Sequence, residues 1–211
     1  MSPLPVLLVA VSMLGLMNAA FGDTFEINPQ GIFLRTNPGD TPATPLILDL
    51  STSLTFPVRP GDTLHLQRKG AYSAYLPVFP DSNTGLYGIF SSSNTLLPQS
   101  NLHRVPGAID AGLDFVSPPN YYDGLSTDIS EDFIIDTMPS RYAAVDVVVP
   151  IGAHYLFIGT ENSYAGYNSD PNCDFDVTIT PVPESSTLLG LGLGLACVLL
   201  MRLRRPADDL R

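Results

Sequence analysis

The chain has 211 residues, with ten Lys/Arg against twenty-one Asp/Glu and a formal net charge of −11. Between residues 23 and 183 eighteen carboxylates stand against six cations, which argues against binding nucleic acid or another polyanion, because neutralising phosphates takes clustered Lys/Arg. Two cysteines exclude a disulfide framework, and twenty prolines with seventeen glycines leave room only for short strands joined by turns.

Residues 1–22 read as a signal peptide, an apolar core from Pro5 to Met17 followed by Asn18-Ala19-Ala20-Phe21-Gly22. Ala20 and Gly22 supply the small-x-small pattern that signal peptidase accepts, so cleavage is expected between Gly22 and Asp23. Residues 23–180 read as one all-β domain, a β-sandwich or jelly roll of nine or so short antiparallel strands, with helices minor.

Phe25-Glu26-Ile27 and Ile32-Phe33-Leu34 read as two short early strands, and Pro38-Gly39-Asp40 as a turn. Leu46, Leu48 and Leu50 alternate with Ile47 and Asp49, the pattern of a strand with one strongly buried face. Arg59-Pro60-Gly61-Asp62 is a turn that leads into 63–67, where Leu64 and Leu66 point one way and Thr63, His65 and Gln67 the other. From 70 to 119 the chain is loop-rich, with Tyr72, Tyr75, Phe79, Tyr87 and Phe90 shared between the core and a surface groove. The 123–136 segment carries acidic residues around Phe133-Ile134-Ile135 but lacks the ligand spacing of an EF-hand, and reads as a solvated acidic loop entering a strand.

Strands follow at 144–149 and 154–158, with a turn at 149–152 between them. The polar loop 159–174 then precedes Phe175, Val177 and Ile179, which alternate with Asp176, Thr178 and Thr180. The two apolar runs around that loop read as an antiparallel pair. Cys173, in the loop, reads as a lone and partly buried thiol, while Cys197 lies in a later apolar run.

No sequence constellation for catalysis emerges. His65, His103 and His154 neighbour no nucleophile elbow, and no glycine-rich phosphate loop, CxxC or HExxH occurs, so the chain reads as a non-enzyme without a zinc site. A glycan-acting hydrolase is the less favoured alternative, because among so many carboxylates some pair falls at hydrolytic spacing by chance.

The last stretch is the most specific. Pro181-Val182-Pro183-Glu184-Ser185-Ser186-Thr187 precedes fourteen uncharged residues, 188–201, and then Arg202-Leu203-Arg204-Arg205. A helix of that length reaches about 21 Å against a hydrocarbon core of about 30 Å, and arginine stems extend it by snorkelling. Arg202, Arg204 and Arg205 are the topology lock: they place residues 206–211 in the cytoplasm and everything before Pro181 outside.

This order resembles the PEP-CTERM sorting signal of bacterial exopolysaccharide-associated surface proteins, over roughly the last 30 residues, 181–205 carrying the signal itself. Val182, Pro183, Glu184, Ser185, Ser186 and Thr187 match the sorting motif, with Ser185 where the family usually has a second proline. The resemblance implies recognition by an exosortase, a membrane cysteine transpeptidase. It also implies an inner-membrane intermediate, a final place at the cell surface or in the extracellular matrix, and extracellular polysaccharide as a working partner. An ordinary C-terminal anchor is the plain alternative.

The oxygen-rich loop after Gly159, with Pro60-Gly61-Asp62 leading into a strand and Gly70, is similar to the small bacterial calcium-dependent galactose-binding lectins, a β-sandwich family. Carried over, that resemblance gives Glu161 the acidic role and Ala165 a coordinating carbonyl. Asn168 and Ser169 take the places of two consecutive asparagines, and Tyr75 supplies a carbonyl from the earlier loop. Glutamate for aspartate, serine for asparagine and a longer loop before Phe175 are departures. The resemblance implies Ca²⁺ holding sugar hydroxyls beside an aromatic face, and the alternative is a solvated hairpin loop.

Overall fold

The computed structural model describes residues 21–34, 39–74, 85–97, 105–113, 129–136, 144–160 and 164–183. Nine strands occur among them: β1 Asp23–Glu26, β2 Leu46–Asp49, β3 Thr63–Lys69, β4 Leu86–Ser91, β5 Ala108–Ile109, β6 Asp132–Asp136, β7 Ala144–Val148, β8 Tyr155–Thr160 and β9 Asp176–Val182. They form two antiparallel sheets packed face to face. The first has the order β1-β9-β3-β7 and the second β2-β8-β4-β5, with β6 also on β4. Because β8 takes one edge of β4 along its whole length, β5 and β6 lie end to end on the other.

The two sheets differ in what covers them, and their sequences show it. Between the sheets, Leu64, Leu66, Val147, Val177 and Ile179 of the first pack on Leu48, Leu86, Phe90, Phe133, Leu156 and Ile158 of the second. Burial of each such side chain stabilises by about 1.5–3 kcal/mol. The outer face of the first sheet is polar, with Thr24, Gln67, His65, Thr178 and Thr180 in adjacent rows, so β3 and β9 alternate cleanly. The outer face of the second sheet carries another apolar cluster, Phe33, Leu34, Tyr87, Ile89, Val105, Ile129 and Phe157. Strands β4 and β8 are therefore buried on both faces and read as nearly unbroken apolar runs.

Four sequence expectations are corrected here. Ile32-Phe33-Leu34 is not a strand: beside the isolated Gly31–Ala43 bridge no ladder forms over 31–34, and Phe33 and Leu34 instead cover the second sheet. The runs flanking the 159–174 loop are not a pair: β8 belongs to the second sheet and β9 to the first, so the loop crosses between sheets. The acidic ends of β6 are not solvated, Asp132 being 2% and Asp136 1% exposed. Cys173 is exposed rather than partly buried, with φ of 55°.

A register shift explains the inward turn of Asp136. Leu86 faces Asp136 but Tyr87 faces Ile134, which leaves Ile135 as the extra residue of a bulge. A bulge re-aims the side chain that follows it, here toward β3. Arg68 continues the inward row of Leu64 and Leu66, and its Nη1 meets Asp136 Oδ2 at 3.1 Å, both side chains buried. The guanidinium also donates from Nε to Gly70 O and lies 5.8 Å over the Phe175 ring.

The sandwich has two distinct ends. Register places Asp23 against Ile179 and Thr63 against Val182 and Val148, so β1 begins where β9 finishes. The turn at 59–62 and the crossing at 149–154 lie at that same end, joined by Gly61 N to Val149 O and Val149 N to Asp62 O. Residues 164–175 are at the opposite end, with Gly70 and segments 28–31 and 39–43.

Candidate functional site

The described part of the loop after β8, residues 164–175, is folded around a residue far away in sequence. Asp40, 3% exposed, accepts the N–H of Ala165 on Oδ2 and the N–H groups of Gly166 and Thr41 on Oδ1, each at 2.9 Å. Ala165 and Gly166 open a single 3-10 turn, Ala165–Tyr167, and its leading amides have no acceptor within the turn. A carboxylate supplies the acceptor, and charge-assisted bonds of this kind are stronger than neutral ones. Gln30 donates from Nε2 to the carbonyls of Gly166 and Asn168, each at 3.1 Å. Asn168 donates from Nδ2 to Pro29 O at 2.8 Å, and Thr160 donates to the same carbonyl. Ser73 and Ser169 exchange two backbone bonds, which fastens the loop to the chain leaving β3.

Of the five residues matched to calcium ligation, Ala165, Asn168 and Ser169 are brought together in this loop; Glu161 and Tyr75 lie outside the described residues. The carbonyl of Ala165 already accepts Asn168 N–H at 2.9 Å, and the Asn168 amide nitrogen is spent on Pro29. Two oxygens nearby are better suited to a hard cation. Ser169 Oγ and Asp170 Oδ1 are buried atoms without a hydrogen-bond partner among the described residues, while Asp170 Oδ2 accepts Phe175 N–H at 3.1 Å. Asp170 lines a cavity of about 310 Å³ with Glu26, Ile27, Asn28 and Pro29. Among the described residues no group of three or more His, Cys, Asp or Glu is placed to hold a metal.

Beside the cavity Glu26 faces Asp176 across β1 and β9, and Lys69 faces Asp176 from β3. Burial, then the charge of Glu26, push the Asp176 carboxyl above its ordinary range; Lys69 pulls it back, and Asp170 and Asp174 add to the rise. Tyr167 is 55% exposed, its ring 6.2 Å from that of Tyr164, so the loop offers an aromatic face next to carboxylates and amides.

Sequence reasoning missed Asp40 and Gln30. The Pro38-Gly39-Asp40 run marks a turn, but nothing local shows that its carboxylate serves amides 125 and 126 positions on. The described histidines do not enter the site. His65 Nδ1 lies 2.6 Å from Asp146 Oδ1 on the open face of the first sheet, with side-chain exposures of 41% and 61%, and a pair so exposed contributes about 0–1 kcal/mol. His154 is exposed at the other end, and His103 is outside the described residues.

Of the C-terminal motif, Val182 ends β9 and Pro183 follows it. Glu184, Ser185, Ser186, Thr187, the run 188–201 and Arg202, Arg204 and Arg205 lie outside the described residues, as do residues 1–20. No helix among the described residues is long and apolar enough to cross a membrane. Gly22 and Asp23, the expected cleavage point, fall where β1 starts, and Asp23 there accepts the N–H and hydroxyl of Thr55. No protein-family model, curated protein or solved structure matches the chain.

Proposed function

We propose that the chain is an exported, non-enzymatic cell-surface or matrix protein that an exosortase sorts by its C-terminal segment. Residues 1–22 act as a removable signal helix, Pro183-Glu184 as the tag, 188–201 as a membrane helix and the three arginines as its stop. The observation that carries the reading is the three-part order of residues 181–205. Before the signal helix is removed both apolar segments would enter one membrane, and the strand set has its two exits at one end of the sandwich.

The test is intact mass and location of the full chain, expressed in a bacterium with and without an exosortase. With the enzyme, the product should lack both the first 22 residues and the C-terminal run, and appear at the surface. Without it, the C-terminal run should persist and the product should stay in the inner membrane. Cytosolic protein with both ends intact, or the same mass in both hosts, would refute the reading.

The far end is proposed to bind extracellular polysaccharide weakly, the ring of Tyr167 stacking on a sugar and the loop amides and carboxylates taking its hydroxyls. Ca²⁺, with Ser169 and Asp170 as the residues here that would hold it, would supply two coordination positions for vicinal hydroxyls. A structural envelope protein without a ligand is the competing reading. It forecasts no rise in melting temperature with Ca²⁺ or glycan, since only a ligand of the native state raises apparent stability.

A further inference from the structure

The large apolar side chains that the described residues leave exposed are unevenly placed. Six occur; Phe21 leaves with the signal segment, and of the other five Val148 (50%), Ile151 (89%) and Val182 (36%) are at the end where β1 begins and β9 finishes. Val148 and Val182 flank Thr63 in one row of the first sheet. Ile151 tops the crossing from β7 to β8. Soluble surfaces scatter such residues singly, and grouping at one end marks an interaction surface.

What covers them follows from the length of chain beyond. Between Pro183 and Leu188 there are only four residues, Glu184, Ser185, Ser186 and Thr187, before fourteen uncharged ones. Five residue steps span at most about 18 Å when fully extended, and the polar layer of a bilayer takes up roughly 5–7 Å of that on each side. An apolar run shorter than the hydrocarbon core draws its flanks inward. If 188–201 is embedded, the apolar end of the sandwich is held against the headgroups.

We propose that this end is a lipid-facing foot: Val148, Ile151 and Val182 dip into the headgroup region of the bilayer while the domain is tethered, with the Tyr167 loop pointing away from it. The proposal rests on the reading of 188–201 as a membrane segment. Strand β9, seven residues long, holds the two ends about 20 Å apart. The charges near the foot include Asp23, Asp62 and Arg59, and the carboxylates favour a zwitterionic over an anionic surface.

The experiment uses the full chain, Cys173→Ser and Cys197→Ser, reconstituted into phosphatidylcholine vesicles. Single spin labels are placed through Ile151→Cys, Tyr167→Cys or Leu193→Cys. Ile151 and Tyr167 are exposed, so labelling leaves the core intact. Collisional relaxation by oxygen, which partitions into lipid, is compared with relaxation by a water-soluble nickel chelate. The expected result is a deep signal at 193 and an oxygen-to-nickel ratio several-fold higher at 151 than at 167. A deep label at 193 with equal ratios at 151 and 167 would overturn the foot and leave the membrane segment standing. A water-exposed label at 193 would overturn both. A label at 151 shielded from both relaxers, with dipolar broadening between chains, would mean that a second copy covers the patch, and would also overturn it.

Discussion

Asp40 shows how one side chain sets the candidate site. It receives three backbone N–H groups at 2.9 Å from a buried position, so Asp40→Ala strands three donors. Stranding a buried polar group costs about 1–3 kcal/mol, so a loss of about 3 kcal/mol is expected, read as a fall in melting temperature with faster amide exchange at Ala165 and Gly166. An unchanged melting curve would show that the loop holds itself. Asp176 raises a separate question of pH. Its carboxyl is raised by burial and by Glu26, so the folded state holds that proton more tightly than the unfolded state does. Its contribution is therefore most favourable below the unfolded value and is lost as pH rises through the folded one. Asp176→Asn should melt slightly higher than the parent at pH 7 and no higher in acid. Asp40 meets three amides, whereas Asp176 is partly desolvated beside Glu26, and no local sequence pattern carries either environment.

At the scale of elements, β3 was legible up to the point where chemistry contradicted period. Leu64 and Leu66 mark the inward face, and the same two-residue step places Arg68 there too, but a hydropathy reading sends arginine outward. Its partner depends on the bulge in β6, which no residue type announces. Removing one member of a buried pair leaves an uncompensated charge and costs about 3–5 kcal/mol, while replacing both with apolar side chains is often neutral. Arg68→Met alone should therefore unfold at much lower denaturant, and Arg68→Met with Asp136→Leu should recover most of the loss; no recovery would show that the pair specifies the packing of β6. Gly88 follows the same logic of facing rows. It opposes Phe133, and a Cβ there would lie 2.6 Å from the ring. Overpacking of this sort costs about 1–3 kcal/mol, so Gly88→Ala should destabilise, and Phe133→Leu in the same chain should lessen the effect. The alternating strands β2, β3 and β9 were readable because water covers one side or the core dominates the other. The joint between β8 and β9 was not, because an apolar run says that a strand is buried without saying which sheet receives it.

For the whole molecule the separation of the two ends matters most, and it makes the ligand reading testable apart from the tether. The strands could be read from spacing, but their arrangement came from long-range pairing: β1 docks on β9, 154 positions away at Thr24 and Thr178, and only that contact sets the chain's two exits beside each other. The Tyr167 loop is left at the opposite end, where a soluble glycan can reach it whether or not the tail is embedded. Tyr167 is exposed and belongs to neither apolar cluster of the described residues, so Tyr167→Ala should leave the melting temperature within about 2 °C, the scale of a surface change of ±0.5 kcal/mol. Loss of one stacking aromatic should still weaken glycan retention severalfold, because the ring face is the apolar part of the proposed contact. Both measurements belong on the same sample, with and without Ca²⁺. Retention lost with stability kept places the ligand on this loop. Retention kept in the variant moves the ligand elsewhere, and no retention in the parent under either condition leaves a structural envelope domain whose polar end serves only to keep it apart from its neighbours.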